Sequence, residues 1–389
     1  MAEFTTLQEM LLIAHGKVDA TVWDFINGAT ESEITLRRNR HGLDRLAFRP
    51  RVLNDVARID TSTMFLGHKL ALPVMMAPVG SLALIDPAAA VSVAGACKTY
   101  GSLLIYSTFA DPPLDVVRSK VDHPLILGLY VRGDQAWLDA AVEQAVAAGC
   151  LAITVVTEAP YYSRRERDLI NRFRSRGSKS GTYAATQKVL REGGTGEAVA
   201  AAEARMITAR LTWKTVERIR RRSSLPIILK GIATAEDARL AIEHGASAVY
   251  VSNHGGRQLD CGRGSIEVLP EIVEAVSGRA AVIMDGGIYR GTDVLKAIAL
   301  GARAVCIGRL QCWALAAGGE AGLVKMLEIL EEEIIIAMGL LGVTKLAELG
   351  PNHLVETDAL DPPHIFNPFP MVKERLAVLP PAGRAGKRT

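Results

Sequence analysis

Cysteine is scarce in this chain of 389 residues. The five present (Cys97, Cys150, Cys261, Cys306 and Cys312) are odd in number and nowhere spaced C-x-x-C, so neither a disulfide framework nor a zinc site is indicated, and reduced thiols of a cytoplasmic protein are expected. Charge of one sign is missing too. The 45 basic and 42 acidic residues leave a net +3 with no basic stripe and no aromatic-rich patch, which excludes the electrostatic footprint of a nucleic-acid binder. No apolar run is long and uninterrupted. The most hydrophobic stretch, 74–96, holds Pro78, Asp86 and Pro87, which suit a strand, loop and helix better than a membrane span. The first ten residues are polar and acidic and the last carry no anchor or peroxisomal tripeptide, so no signal peptide and no membrane partner are expected. What the chain does have, 49% apolar and 22% charged residues, predicts a folded globular protein.

From about residue 72 onward, short β-branched and apolar runs alternate with segments of helical length, the pattern of βα units around a parallel sheet. Eight runs stand out: Leu72–Met76, Leu103–Tyr106, Leu125–Val131, Ala152–Thr157, Pro226–Lys230, Ala248–Ser252, Ala281–Met284 and Ala304–Ile307. They are short and apolar, as strands buried on both faces should be. Eight units predict a closed α/β barrel of the TIM (β/α)8 type, with an open doubly wound sheet as the alternative. The segments 134–148, 234–244 and 292–300 read as helices ending before Gly149, Gly245 and Gly301, where a left-handed cap is expected. Residues 4–60 read as two or three helices that flank the barrel. The 174–210 stretch is too long for an ordinary barrel loop and is read as a lid inserted after the fourth strand. The expected organisation is one domain over 1–360, with the barrel at about 70–345, and a proline-rich tail over 361–389 that is disordered or packs on a neighbouring subunit.

Barrel enzymes carry their reactive groups at the carboxyl ends of the strands. There the sequence places Lys230 and Gly231 after the fifth run, Ser252-Asn253-His254-Gly255-Gly256-Arg257-Gln258-Leu259-Asp260 after the sixth, Asp285-Gly286-Gly287 after the seventh and Gly308-Arg309 after the eighth. Singly, a lysine ending a strand or an Asp-Gly-Gly turn is commonplace; jointly they gather one mouth. The glycine amides of Gly286, Gly287 and Gly308, with Arg309, make a phosphate-binding place in the habitual position of this fold. A phosphorylated cofactor or substrate is implied, and no metal.

These segments, with Ser163-Arg164-Arg165-Glu166-Arg167-Asp168, resemble the FMN-dependent α-hydroxy-acid oxidase and dehydrogenase family, which includes glycolate oxidase, lactate oxidase and mandelate dehydrogenase. The resemblance runs from about residue 4 to 350. It implies oxidation of a 2-hydroxy acid to the 2-keto acid, with FMN taking the electrons and oxygen or a redox carrier taking them in turn, in a homotetramer. His254 suits the general base. Arg257 and Arg165 can grip a carboxylate through paired hydrogen bonds. Lys230 would place positive charge where reduced flavin accumulates negative charge. By resemblance, Tyr130 binds the substrate hydroxyl, while Ser107, Ser252 and Asp285 help hold the flavin beside the backbone of Ala77-Pro78-Val79.

Several positions depart from the family. Phe25 stands where a tyrosine hydroxyl normally binds the carboxylate, a loss worth about 1.5–3 kcal/mol. Val156-Thr157-Glu158 stands for Thr-Val-Asp, so Val156 has no hydroxyl for the flavin, and Glu158 can orient His254 only if backbone or rotamer adjusts. Phe109 replaces a tryptophan, Gly128 a flavin-contacting glutamine, and Tyr289 a phosphate-binding arginine, which predicts weaker FMN binding. With Tyr161 and Tyr162 the mouth is more aromatic, favouring a larger, mandelate-like acid over glycolate. The competing readings are a non-carboxylate hydroxylated substrate, a catalytically weakened ligand-binding relative, and a phosphate-binding isomerase or lyase without flavin.

Overall fold

The computed structural model describes residues 4–173, 183–193 and 195–376. Eight strands, β1 (Val74–Met76), β2 (Leu104–Ser107), β3 (Leu125–Leu129), β4 (Ala152–Val156), β5 (Ile227–Ile232), β6 (Ala248–Val251), β7 (Ala281–Met284) and β8 (Ala304–Ile307), pair in sequence order and close into a barrel where β8 meets β1. The closed alternative therefore holds over the open sheet. The strands alternate between two apolar surroundings. Val74, Leu127, Ile153, Leu229 and Val249 face the surrounding helices, while Met75, Ile126, Ala152, Ile228, Tyr250 and Ile283 fill the barrel interior. That parity fixes register, because a one-residue slip would exchange the two sets.

Carried to the carboxyl ends, the same parity turns Ser107, Thr154, Lys230, Ser252 and Asp285 inward, and all five are buried. The floor of the mouth is thus polar because several strands carry a polar side chain at the upper end of their interior-facing set. The helices Gln135–Ala147, Ala235–Glu243 and Gly291–Ala299 end within a residue or two of Gly149, Gly245 and Gly301, each at positive φ, as a left-handed cap requires.

The N-terminal helices Leu7–Lys17, Ala20–Asn27 and Ile34–Asp44 pack on the barrel. The last of these carries a buried ion pair that sequence reading passes over: Arg40 donates to both oxygens of Asp293 at 2.9 and 2.8 Å and to the carbonyl of Gly287 at 2.9 Å. It braces the Asp285–Gly287 turn from behind. Within a run as charged as Leu36-Arg37-Arg38-Asn39-Arg40, nothing in the sequence separates this arginine from its solvated neighbours.

The tail differs from expectation. Phe366, Phe369 and Val372 are buried in the chain's own core, with Phe366 and Phe369 ringed around Trp313 and the short helix Pro370–Leu376 meeting the N-terminal helix through Met371 and Gln8. Aromatic burial holds residues 366–376 on the chain's own core; residues 377–389 lie outside those described. No helix among the described residues is long and apolar enough to cross a membrane.

Candidate active site

The mouth is a cavity over the carboxyl ends of the strands, lined by Phe25, Ala77, Pro78, Val79, Ser107, Phe109, Tyr130, Arg165, Lys230, His254, Arg257, Asp285, Gly286, Gly287, Gly308 and Arg309, among others. Glu158 and Ser252 lie just beneath it. All the residues singled out from the sequence therefore converge on one place.

His254 sits in a tight turn at φ +57°, a conformation uncommon for a non-glycine residue. Asn253 caps this turn by accepting from the Gly256 amide at 3.1 Å, and Ser252 Oγ accepts from the His254 amide at 3.0 Å. The ring Nδ1 lies 2.9 Å from Glu158 Oε1. Because an ionised carboxylate only accepts, Nδ1 carries the hydrogen and the Nε2 lone pair is left to act. Glu158 thus reaches His254 despite its extra methylene. Burial, with Lys230 adding to it, pulls the His254 pKa down to about 4 against the opposing pull of Glu158. The imidazole is neutral at neutral pH. Burial alone would raise Glu158, yet Lys230 and His254 outweigh it and hold the carboxyl at about 2.

Lys230 ends the inward face of β5 and is 2% exposed. It contacts Glu158 Oε1 and donates to Ser252 Oγ at 2.8 Å. Ser252 in turn donates to Asp285 Oδ1 at 2.6 Å, and Tyr250 to Asp285 Oδ2 at 2.8 Å. Asp285, expected to hold the flavin, thus has both oxygens engaged inside the barrel, where it anchors Ser252.

Two positions have partners within the chain that the sequence does not show. Arg309 lines the cavity while its Nε, Nη1 and Nη2 donate to the carbonyls of Ile26, Gly255 and Gly28 at 3.1, 2.9 and 2.8 Å. It ties the end of the helix Ala20–Asn27 to the turn after β6, beside the first turn of the helix that starts at Arg309. Tyr289, in place of an arginine, is buried against Trp313 and Phe369 and serves the same aromatic cluster that pins the tail. Gly128 is no mere lost donor either, because a Cβ there would lie 2.8 Å from Pro78 Cβ.

Arg165 is buried, with its guanidinium 4.4 Å from the Tyr162 ring centroid and Nη1 3.1 Å from the Tyr162 hydroxyl; its neighbour Arg164 is exposed. Arg257 lies over the Phe25 ring at 4.8 Å and donates Nη1 to the carbonyls of Phe25 and Gly28 at 2.6 and 2.8 Å. Burial, then the charges of Arg165 and Arg309, pull Arg257 well below the usual arginine range. Three guanidiniums therefore crowd one cavity wall with Asp168 as the nearby carboxylate, an arrangement that an anionic ligand would relieve. Tyr130, its phenol pushed up by burial, donates to the Pro78 carbonyl at 3.3 Å and lies 5.2 Å from the Phe109 ring and 6.2 Å from the imidazole. The Ser107 hydroxyl accepts from the Phe109 amide at 3.1 Å.

The fold and site together define a closed α/β barrel whose mouth gathers a half-buried neutral imidazole, a wall of three guanidiniums and a set of glycine turns. The model of FMN-dependent dehydrogenases matches residues 14–356. Glycolate oxidase 3 of Arabidopsis thaliana is 38% identical over 366 residues, covering 94% of this chain and 99% of that protein, and glycolate oxidase of Spinacia oleracea is 38% identical over 357 residues, covering 90% and 96%. A crystal structure of mandelate oxidase superposes with a TM-score of 0.80 at 36% identity over 92% of this chain and all of that one. The chain belongs to the FMN-dependent dehydrogenase family; it is an oxidoreductase and FMN is its cofactor.

The residues present fit that cofactor. A Cβ at Gly308 would meet nothing within 4 Å, so the backbone is open to the cavity there. Thr154, two residues below Val156 on the inward parity of β4, is fully buried with its hydroxyl unpartnered. This hydroxyl lies one inward position below Val156. Sequence reading missed Thr154, although strand alternation alone places it on the side of Lys230.

Proposed function

We propose that the protein oxidises a 2-hydroxy acid to the 2-keto acid, favouring a larger or aromatic acid over glycolate. FMN when bound supplies the two-electron acceptor for the carbinol hydrogen. The observation that carries the acid is the guanidinium wall of Arg165 and Arg257, whose mutual repulsion a carboxylate offsets. Beside it, His254 takes the substrate proton on Nε2 while Glu158 holds Nδ1, and Tyr130, bonded only at 3.3 Å to Pro78, can turn its hydroxyl to the substrate oxygen. Lys230, Ala77, Val79 and the glycines Gly286, Gly287 and Gly308 line the cofactor's place; oxygen or a redox carrier is the final acceptor.

The aromatic lining supports the bulkier substrate: Phe25, Phe109, Tyr130, Tyr161, Tyr162 and Tyr183 share the cavity. An anaerobic stopped-flow screen of glycolate, lactate, mandelate and methyl mandelate tests this. Mandelate is expected to bleach the flavin with the highest rate over Kd and its uncharged ester to be poor. Glycolate as the best substrate would overturn the aromatic preference, and an ester as good as the acid would support the non-carboxylate alternative that Phe25 motivates.

We also read the 174–210 insertion as a lid over one domain. Its helices Tyr183–Glu192 and Gly196–Arg205 bring Tyr183 and Arg205 to the cavity, with the Tyr183 hydroxyl accepting from the Tyr162 amide at 2.7 Å; residues 174–182 and 194 lie outside those described. Limited proteolysis is expected to cut this segment first and a substrate analogue to slow the cut; equal cutting with and without ligand would rule the lid out. A homotetramer and a cytoplasmic location belong to the same proposal. The exposed apolar Val52, Leu53, Ile336 and Leu340 support association and the free cysteines a reducing compartment; sedimentation velocity and fractionation check them.

A further inference from the structure

Beyond holding the imidazole, Glu158 touches a second charged group with the same oxygen. Its Oε1 accepts from His254 Nδ1 at 2.9 Å and also contacts Lys230 Nζ, while Oε2 is buried without a partner. Space for this comes from Gly231. The β5 ladder shifts register between Lys230 and Ile232, Gly231 stands at φ +104°, and a Cβ there would lie 2.5 Å from Glu158 Oε2 and 2.8 Å from the Glu158 amide. A bulge that only glycine fills thus lets the longer acid reach between strand and loop. The groups facing this carboxylate are Lys230 from β5, His254 from the loop after β6 and, one step further, Tyr130, Asp285 and Arg165.

We propose that Glu158 is a positioning residue shared between the base and the cofactor-side lysine: it masks the charge of Lys230 while His254 is neutral and yields Lys230 when His254 gains its proton. One oxygen cannot serve two cations as well as one. When His254 becomes an imidazolium, its Nδ1–H becomes a charge-assisted donor that competes with Lys230 for Oε1. Among carboxylates, Lys230 would then keep only the longer contact to Asp285 Oδ2 at 3.8 Å, leaving more of its charge to act on a flavin bound beside it. This rests on the reading, proposed above, that Lys230 lines the cofactor's place.

The test uses sulfite, which forms a bond from sulfur to flavin N5 and leaves the electron pair as negative charge on the ring, so its affinity reports positive charge beside the cofactor without turnover. In FMN-loaded protein Glu158→Gln should bind sulfite about tenfold more tightly or better, because an unmasked charge a few ångström away is worth more than that at an effective dielectric constant of about 20. A merely structural loss would not tighten binding. Glu158→Asp, the variant safer for folding, can hold only one partner; it should either tighten sulfite or shift the acid limb of the pH profile. Wild-type sulfite affinity and pH profile in both variants overturn the proposal. Lys230→Met separates the two ideas. If it weakens sulfite binding while the Glu158 variants change nothing, only the sharing is wrong; if it leaves sulfite binding unchanged, Lys230 does not face the flavin and both readings fall.

Discussion

Replacing His254 with asparagine is expected to leave FMN bound and to slow substrate-driven flavin reduction by about two orders of magnitude or more, the usual consequence of removing a general base. The loss should fall on the chemical step, because the cavity wall that binds the acid does not include the imidazole's own donors. Its tautomer is fixed by Glu158 at 2.9 Å, so asparagine can keep a bond to that carboxylate while offering no basic nitrogen. The pH dependence follows with a definite sign. The active form is the neutral ring, and burial beside Lys230 puts its pKa at about 4, below the ordinary value near 6.5. Activity should therefore be full through neutrality and fall only as pH drops through about 4. Anaerobic kcat/KM profiles check both parts. A His254→Asn enzyme that reduces its flavin at near-normal rate would remove the base assignment, and an acid limb near 6.5 would show that the ring is hydrated in the loaded enzyme.

How far the sequence could be read depended on the range of the interaction concerned. Strands and their inward residues were legible because alternation and buried apolar runs are local, and Lys230, His254 and Asp285 follow from being the next residues past those runs. Thr154 follows from the same parity, since it shares the inward side of β4 with Val156. What lay beyond reach was set by side chains from distant segments. Arg309 spends its guanidinium on Ile26, Gly28 and Gly255, and Arg40 braces the Gly287 turn from a helix some 247 positions away in sequence. The reach of Glu158 depends on a bulge at Gly231 whose glycine reads, in one dimension, as an ordinary strand end. The tail's proline content suggested disorder, whereas Phe366 and Phe369 had the volume to fill the gap beside Trp313.

Arg165→Met should raise KM for a 2-hydroxy acid by about 10- to 150-fold, the loss of a charge-assisted hydrogen bond of 1.5–3 kcal/mol, while kcat and flavin content change far less. The expectation rests on where the guanidinium's bonds go. Apart from one bond to the Tyr162 hydroxyl at 3.1 Å, its contacts, to Ser163, the Arg257 carbonyl and Gln258, are 3.3–3.4 Å long, too weak to hold it against a carboxylate that offers two oxygens at once. Methionine keeps the apolar volume against Tyr162 and leaves no buried charge behind. It also relieves Arg257, which burial and then Arg165 pull well below the arginine range, so the unliganded protein should be no less stable and thermal denaturation should show it. Weakened acid binding in a protein of unchanged stability is what separates a ligand-holding arginine from a scaffold one such as Arg309. If instead KM for mandelate and for its methyl ester moved together, or neither moved, the carboxylate would not be bound by this wall and the case for a non-carboxylate substrate would take its place.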